Sequence, residues 1–264
     1  MSHRTRNLAH MVTTPYELLR HELQRDGSRP FVTYYDDATG ERVELSVATF
    51  DNWVAKTAGL LRDDLAADAG ARVALLLPPH WQALVWAGAC WAVGACLTDS
   101  IDDAAAVVTG PDSLEDAAAS DVDDVIAHSL RPMGARFADP LPIGVLDYAV
   151  EVPGHADELV AYVPPSADEP ALEAGGAVHT LGGLVEHARE RAKQLGIGPE
   201  ARLLVPASDV RAAVVDAFLV PLVVSGSAVL VQNEETAGRD NRTAAERVTT
   251  VVPTPAPTAD DHEH

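Results

Sequence analysis

The sequence has almost no lysine. Lys56 and Lys193 are the only two, and nineteen basic residues in all face forty acidic ones, for a formal net charge of −21. That balance excludes a general attraction to nucleic acid or to an anionic membrane, because binding phosphate-rich surfaces needs clustered Lys and Arg. Arginine is not scarce, so the shortage of lysine reads as a codon bias that also favours Ala, Gly and Pro, rather than as a salt-adapted surface. Cysteine is as rare as lysine. Cys90 and Cys96 both sit in an apolar run, where a free thiol packs as a small hydrophobe, and one pair in so long a chain excludes a disulfide framework. Aromatic residues make up 5% of the chain against 47% hydrophobic residues overall, so Ala, Val and Leu must fill most of the core. Long hydrophobic runs are missing too. The longest, 83–97, is interrupted by Gly88 and Gly94 and falls short of the roughly 20 residues a membrane helix needs. The opening MSHRTRNLAHMVTTP has no apolar segment of the signal-peptide kind. These absences predict an acidic, soluble, cytoplasmic protein.

What is present is an alternation of helix and strand signals. Thr14-Pro15-Tyr16-Glu17 opens a helix, with Thr14 as cap, Pro15 at the first helical position and Glu17 completing a capping box. Residues 31–36 and 42–46 flank a turn containing Gly40 and read as a hairpin. Phe50, Trp53, Val54, Thr57, Leu60 and Leu61 have helical spacing. RVALLL at 72–77 is a continuous apolar run of the kind buried on both faces of a parallel sheet. Residues 80–92 are apolar nearly all round and read as a buried helix. Weaker strand signals follow at 105–109 and 124–127, with a short helix signal at 113–120 between them. Seven prolines between 131 and 170 mark a loop-rich connection. Thr180 then caps a helix carrying Leu181, Leu184, Val185 and Ala188 on one face. A strand (202–207), an apolar helix (210–224) and another strand (227–232) complete the series. The order implies an α/β layered fold.

Known catalytic and metal signatures are missing. The chain has no G-x-x-x-x-G-K-[ST] loop, H-E-x-x-H or paired C-x-x-C. Ser225-Gly226-Ser227 does not make a G-x-S-x-G nucleophile elbow. Asp121, Asp123 and Asp124 lack EF-hand spacing and read as a solvated loop. The terminal Asp261-His262-Glu263-His264 carries metal-capable side chains without preorganised geometry, so no metal site is expected.

Taken together, several segments resemble the opening of the AMP-binding superfamily, which includes acyl-CoA synthetases, peptide-synthetase adenylation domains and luciferases. Ala69-Gly70-Ala71-Arg72-Val73 stands where that superfamily has "GDRV", Pro78-Pro79 where it has "PN", and Gly94-Ala95 where it has "GA". DEPAL at 168–172 resembles the strand before its phosphate loop, and 202–231 resembles its later strand–helix–strand unit. The resemblance spans roughly 14–232. It implies an α/β fold of layered, parallel-rich sheets with flanking helices in two subdomains. The expected division is an N-terminus without order (1–13), a first α/β subdomain (14–130), a Pro-rich connection (131–170), a second α/β segment (171–232) and an acidic tail without order (233–264).

The same resemblance exposes a loss. The superfamily's phosphate loop reads approximately S-G-T-T-G-x-P-K-G, whose glycines, hydroxyls and lysine cradle phosphate. Between Leu172 and Thr180 this chain has only EAGGAVH. Gly175, Gly176, His179 and Thr180 are the remaining candidates for contact with a nucleotide, in a degenerate loop region where Glu173 would repel phosphate. The Y-G-x-T-E and T-G-D motifs and the catalytic lysine of the superfamily's C-terminal domain are not found, and neither lysine is placed to replace the last. No catalytic residue is assigned. The expectation is a pseudoenzyme that keeps the scaffold of an acyl-activating enzyme to bind a small acyl or nucleotide ligand, with ATP or AMP at most a weak one, or to bind a protein partner at the uncovered cleft face. The alternative is a residual adenylate-forming enzyme completed by a partner chain.

Overall fold

A computed structural model describes residues 13–253 apart from 66, 68, 160–162, 207 and 208. The first helix, α1 (Pro15–Asp26), begins as its sequence dictates: the Thr14 hydroxyl accepts from Glu17 N–H and the Glu17 carboxylate accepts from Thr14 N–H, closing the capping box. The hairpin of β1 (Pro30–Asp36) and β2 (Glu41–Ser46) follows. Ser46 caps α2 (Val47–Gly59), which runs on as a π-helical turn through Leu60–Asp64. Then come β3 (Arg72–Leu76), α3 (Trp81–Val93), β4 (Cys96–Thr98), β5 (Ala106–Thr109), α4 (Leu114–Ala118), β6 (Asp124–Ala127), β7 (Val145–Asp147) and α5 (Tyr148–Glu151). The last part holds β8 (Pro170–Ala174), β9 (Ala177–Thr180), α6 (Leu181–Gln194), β10 (Arg202–Pro206), α7 (Val210–Ala213), a π-helical stretch Val214–Leu219, α8 (Val220–Val224), β11 (Ser227–Gln232), α9 (Arg239–Ala245) and β12 (Thr250–Val251).

The strands form two sheets, a five-stranded one ordered β12-β10-β11-β1-β2 and a seven-stranded one ordered β7-β6-β5-β3-β4-β8-β9. Among the named strands of the described residues, β1–β2 and β8–β9 are the antiparallel pairs. Alternate side chains along a strand face opposite sides, and this fixes the layers. Val73 and Leu75 join the main core while Ala74 packs with Val107, Ala117 and Val125 under α4; Leu203 and Val205 join the main core while Leu204 packs with Val229 and Val231, with Tyr35 and Val248 against them. Helices α1, α2, α3, α6 and α8 therefore fill the space between the sheets. α4 covers the far side of the larger sheet, and the segment carrying α9 lies against the far side of the smaller one. An aromatic group, with Trp91 stacked on Phe218 and Phe50 between Phe31 and Phe218, marks the centre. There α2 and α3 approach so closely that a Cβ on Gly88 would lie 2.9 Å from Val54 Cγ2. Cys90 and Cys96 are free and buried.

Three sequence expectations need correction. Neither sheet follows the division at 131–170: β1 and β2 of the first segment pair into the sheet of β10 and β11, while β8 and β9 extend the sheet of β3–β7. Within the Pro-rich connection, Val145–Asp147 is a strand parallel to β6; three residues are too few to show a period. The ordered fold does not stop at 232. α9 and β12 follow, with Leu203 and Leu204 of β10 opposite Thr250 and Val251, and ion pairs described below fasten them down. The local pattern does not announce this segment, because its polar side chains serve a salt-bridge network rather than a hydrophobic face. The expected N-terminal lack of order falls almost wholly outside the described residues, as does the tail from 254.

Candidate functional site

The four predicted site residues lie on the β8–β9 hairpin. Gly175 and Gly176 are its two-residue turn, with φ of +56° and +77°, and Ala174 pairs with Ala177 across it. Two successive positive φ angles are the signature of a type I′ turn, whose twist matches the strands. The glycines thus satisfy a hairpin requirement, and a Cβ on either would meet nothing within 4 Å. His179 is exposed on the edge strand opposite Leu172. Thr180 stands at the foot of the hairpin, where its hydroxyl accepts from Gly183 N–H at 3.1 Å and caps α6. The structure brings the four onto one hairpin but strings them along it rather than around one point.

A cleft lies beside this hairpin, at the carboxyl ends of β3, β4 and β8 and against the start of α7. In open α/β sheets this is where ligands sit. Leu75, Leu97, Leu172, Val210 and Val214 make its walls, and its volume is about 170 Å³. Its polar rim carries Asp99, Glu173, Asp209 and a single cation, Arg211. Asp209 Oδ1 accepts from the N–H groups of Arg211 and Ala212 at 2.8 and 2.9 Å, so the chain's own carboxylate occupies the helix start that would otherwise greet an anion. Arg211 reaches Asp99 at 3.1 Å, an exposed pair with side chains 50% and 56% accessible. Glu173 pairs with Arg72 at 3.2 Å. Neither lysine reaches the cleft: Lys56 donates to the His155 carbonyl at 2.6 Å and pairs with Asp157 at 2.9 Å, and Lys193 is exposed on α6. Sequence reasoning missed Asp99, Asp209 and Arg211. The available signal was positional, since both Thr98-Asp99 and the residues after Pro206 leave the carboxyl ends of apolar strands.

A second polar group stands at the carboxyl ends of β3, β6 and β7. His80 caps α3, its Nδ1 accepting from Gln82 N–H at 3.2 Å. Trp86 Nε1–H donates to His128 Nε2 at 2.6 Å, and His128 stacks on Tyr148 with centroids 4.0 Å apart. The Tyr148 hydroxyl shares a 2.6 Å hydrogen bond with Thr57. Burial pushes His80 down to about 3 and His128 well below its ordinary value, so both rings are neutral near pH 7. His80 therefore packs and caps. Among the described residues no group of three or more His, Cys, Asp or Glu side chains is arranged to hold a metal, and no helix is long and apolar enough to cross a membrane.

No protein-family model matches the chain. A Mycobacterium tuberculosis (strain ATCC 25618 / H37Rv) protein described as "TIGR03089 family protein" is 39% identical over 259 residues, which cover 91% of this chain and 100% of that protein. Among solved structures, a Mycobacterium tuberculosis fatty acyl CoA synthetase superposes with a TM-score of 0.69 at 17% identity over 90% of this chain. The similarity supports an acyl-CoA-synthetase-like fold with parallel-rich sheets and flanking helices. The chain spans about half, 49%, of that synthetase.

Proposed function

The chain belongs to the TIGR03089 family, and from that premise we propose that it is a non-catalytic relative of the acyl-activating enzymes, derived from their N-terminal part, which binds a small, mainly apolar ligand in the carboxyl-edge cleft. One observation carries the reading: three carboxylates and one arginine ring that cleft. At an effective dielectric constant of about 20, two like charges 4 Å apart repel by about 4 kcal/mol. A triphosphate brought there would meet Asp99, Glu173 and Asp209, with no lysine to offset them. The two-residue turn at Gly175-Gly176 supplies no stretch of backbone long enough to wrap a phosphate. The size of the cleft points the same way. Ligand pockets for molecules of drug size run to about 300–1,000 Å³, whereas an apolar cavity near 150 Å³ takes a molecule the size of benzene. A short acyl chain or single ring fits these dimensions; a nucleotide does not. Gly175, Gly176, His179 and Thr180 are on this reading the remnant of a phosphate loop.

The test is thermal shift and calorimetry of the full chain with short-chain and aromatic carboxylic acids, AMP and ATP, beside pyrophosphate exchange. Stabilisation by an apolar acid without nucleotide binding or exchange is expected. Exchange by the purified chain would sink the non-catalytic reading, and no shift with any acid would remove the ligand. A second reading, favoured by the half-length match to the synthetase, is an adenylate-forming activity completed by another chain docked on the cleft face. Exchange that needs both chains is its signature.

A further inference from the structure

A different cleft opens at the opposite end of the smaller sheet, at the amino ends of β1, β10 and β11. Five arginines line it, Arg25, Arg29, Arg42, Arg202 and Arg247, in a chain with nineteen basic residues in all. Its volume is about 720 Å³, within the range of small-molecule sites. Four carboxylates also border it, Asp26, Glu44, Glu200 and Glu246, so the pattern of contacts decides what it can do.

Carboxylates hold four of the five arginines: Glu200 pairs with Arg25 and Glu44 with Arg42 at the exposed rim. Glu246 pairs with Arg202 and, at 2.9 Å, with Arg42. Glu22, on the buried face of α1, pairs with Arg29 at 2.7 Å and approaches Arg25 at 3.6 Å. Arg29 also donates to the Gly226 carbonyl at 2.5 Å, and Arg202 to Ser227 and Thr33. Guanidinium groups fixed in this way form a preorganised set of donors. Two Nε–H groups, on Arg29 and Arg202, have no acceptor in the protein.

Arg247 is the exception. It is exposed at the rim, and among the described residues no ion pair or hydrogen bond of its side chain is found. Its backbone is left-handed, with φ of +53°. Val248 N–H donates to the Thr243 carbonyl at 2.9 Å and Arg247 N–H to Ala244 at 3.2 Å. This is the Schellman pattern that ends a helix, and its left-handed position is ordinarily glycine. An arginine there is strained, and with Glu22 counted five carboxylates face the five arginines, so Arg247 is distinguished by lacking a carboxylate partner among the described residues rather than by a net positive charge of the cleft. At physiological salt the distant acidic surface is screened beyond about 8 Å, so the local set governs.

We propose that this arginine cleft binds a phosphate-type oxyanion, free or carried on a small metabolite, with Arg247 and Arg25 closing on it over a floor of Arg202 and Arg29. The proposal does not depend on the function assigned to the carboxyl-edge cleft.

The probes are inorganic phosphate and pyrophosphate, titrated at constant ionic strength into the full chain and followed by calorimetry and by the arginine Nε–H resonances. Saturable binding is expected, weakened about ten-fold by Arg247→Gly and by Arg25→Gln, and unchanged by Arg211→Gln in the other cleft. Tighter binding of pyrophosphate would point to a phosphoanhydride-bearing metabolite, and equal binding of both to free phosphate. Because glycine relieves the helix-end strain, Arg247→Gly is also expected to melt at an equal or higher temperature without anion. Loss of binding together with retained stability separates a ligand-binding arginine from a merely structural one. Absence of saturable binding by either anion, affinity unchanged in both cleft variants, or a lower melting temperature for Arg247→Gly would each overturn the proposal.

Discussion

The two clefts sit at opposite ends of their sheets and use carboxylates in opposite ways. At the carboxyl edge, Asp99 and Arg211 face solvent, and Asp209 is spent on capping a helix. These groups set the sign of the entrance and contribute little to holding the fold. At the amino edge, Glu246 is 8% exposed and joins β2, β10 and the end of α9 through Arg42 and Arg202. Burial alone would raise its pKa, but hydrogen bonds from Tyr35, Arg202 and Arg42 outweigh burial and hold it down to about 2. Equal formal charge therefore carries unequal energy, and the difference follows from desolvation and geometry.

That contrast can be broken from either end. The largest effect is expected in acid, where the whole shift of His80 from 6.5 to about 3 corresponds to about 5 kcal/mol. The neutral, buried His80 has its pKa lowered from 6.5 to about 3, so the unfolded chain binds the proton first and stability falls as pH drops below 6.5. His80→Asn keeps an acceptor for Gln82 N–H but does not titrate. The slope of unfolding free energy against pH between 6 and 5 should flatten by about 1.4 kcal/mol per pH unit, read from urea melts; an unchanged slope would contradict the burial argument. Next is Glu246→Gln, which leaves Arg42 and Arg202 without their shared carboxylate. A loss of about 3 kcal/mol is expected at pH 7. Since the folded pKa of Glu246 lies below its ordinary 4.5, the wild-type advantage is complete above that value and disappears as pH falls towards about 2. Asp209→Ala removes a helix cap and should cost about 1 kcal/mol. Smallest of all, Asp99→Asn should change stability by less than about 0.5 kcal/mol, yet tighten binding of any anionic ligand at the carboxyl edge by freeing Arg211. If Asp99→Asn destabilised as strongly as Glu246→Gln, the division between the two clefts would fail.

Most of the fold was legible because its carriers are local. The capping box at Thr14, the apolar run at 72–77, the all-apolar helix at 80–92 and the cap at Thr180 each state their structure within a few residues. The carboxyl-edge site was not legible as a site, since Leu97, Leu172 and Val214 meet only through parallel pairing that no local pattern reveals. The hairpin at 170–180 was half legible. Its glycines were found, but no strand after them was expected, because AVHT at 177–180 has too little alternation to announce one. The arginine cleft was the least visible. Its members are spread from residue 25 to residue 247 among an excess of acidic residues, and only the pairing of β1 with β11 and β10 with β12 draws them together.

That pairing also sets an order of events during synthesis. Val32 lies opposite Ala228, so the hairpin of β1 and β2 emerges from the ribosome long before its neighbour exists. At about 5–20 residues per second, the interval is on the order of 10–40 s. Throughout it, Phe31, Val32 and Tyr34, all buried in the finished protein, lack the strand that will shelter them. The larger sheet can begin to assemble meanwhile, since β3 to β7 follow one another closely. The nascent chain thus passes through a period in which one sheet is taking shape and the other is a lone hairpin with an open edge, and in that period a chaperone has most to protect.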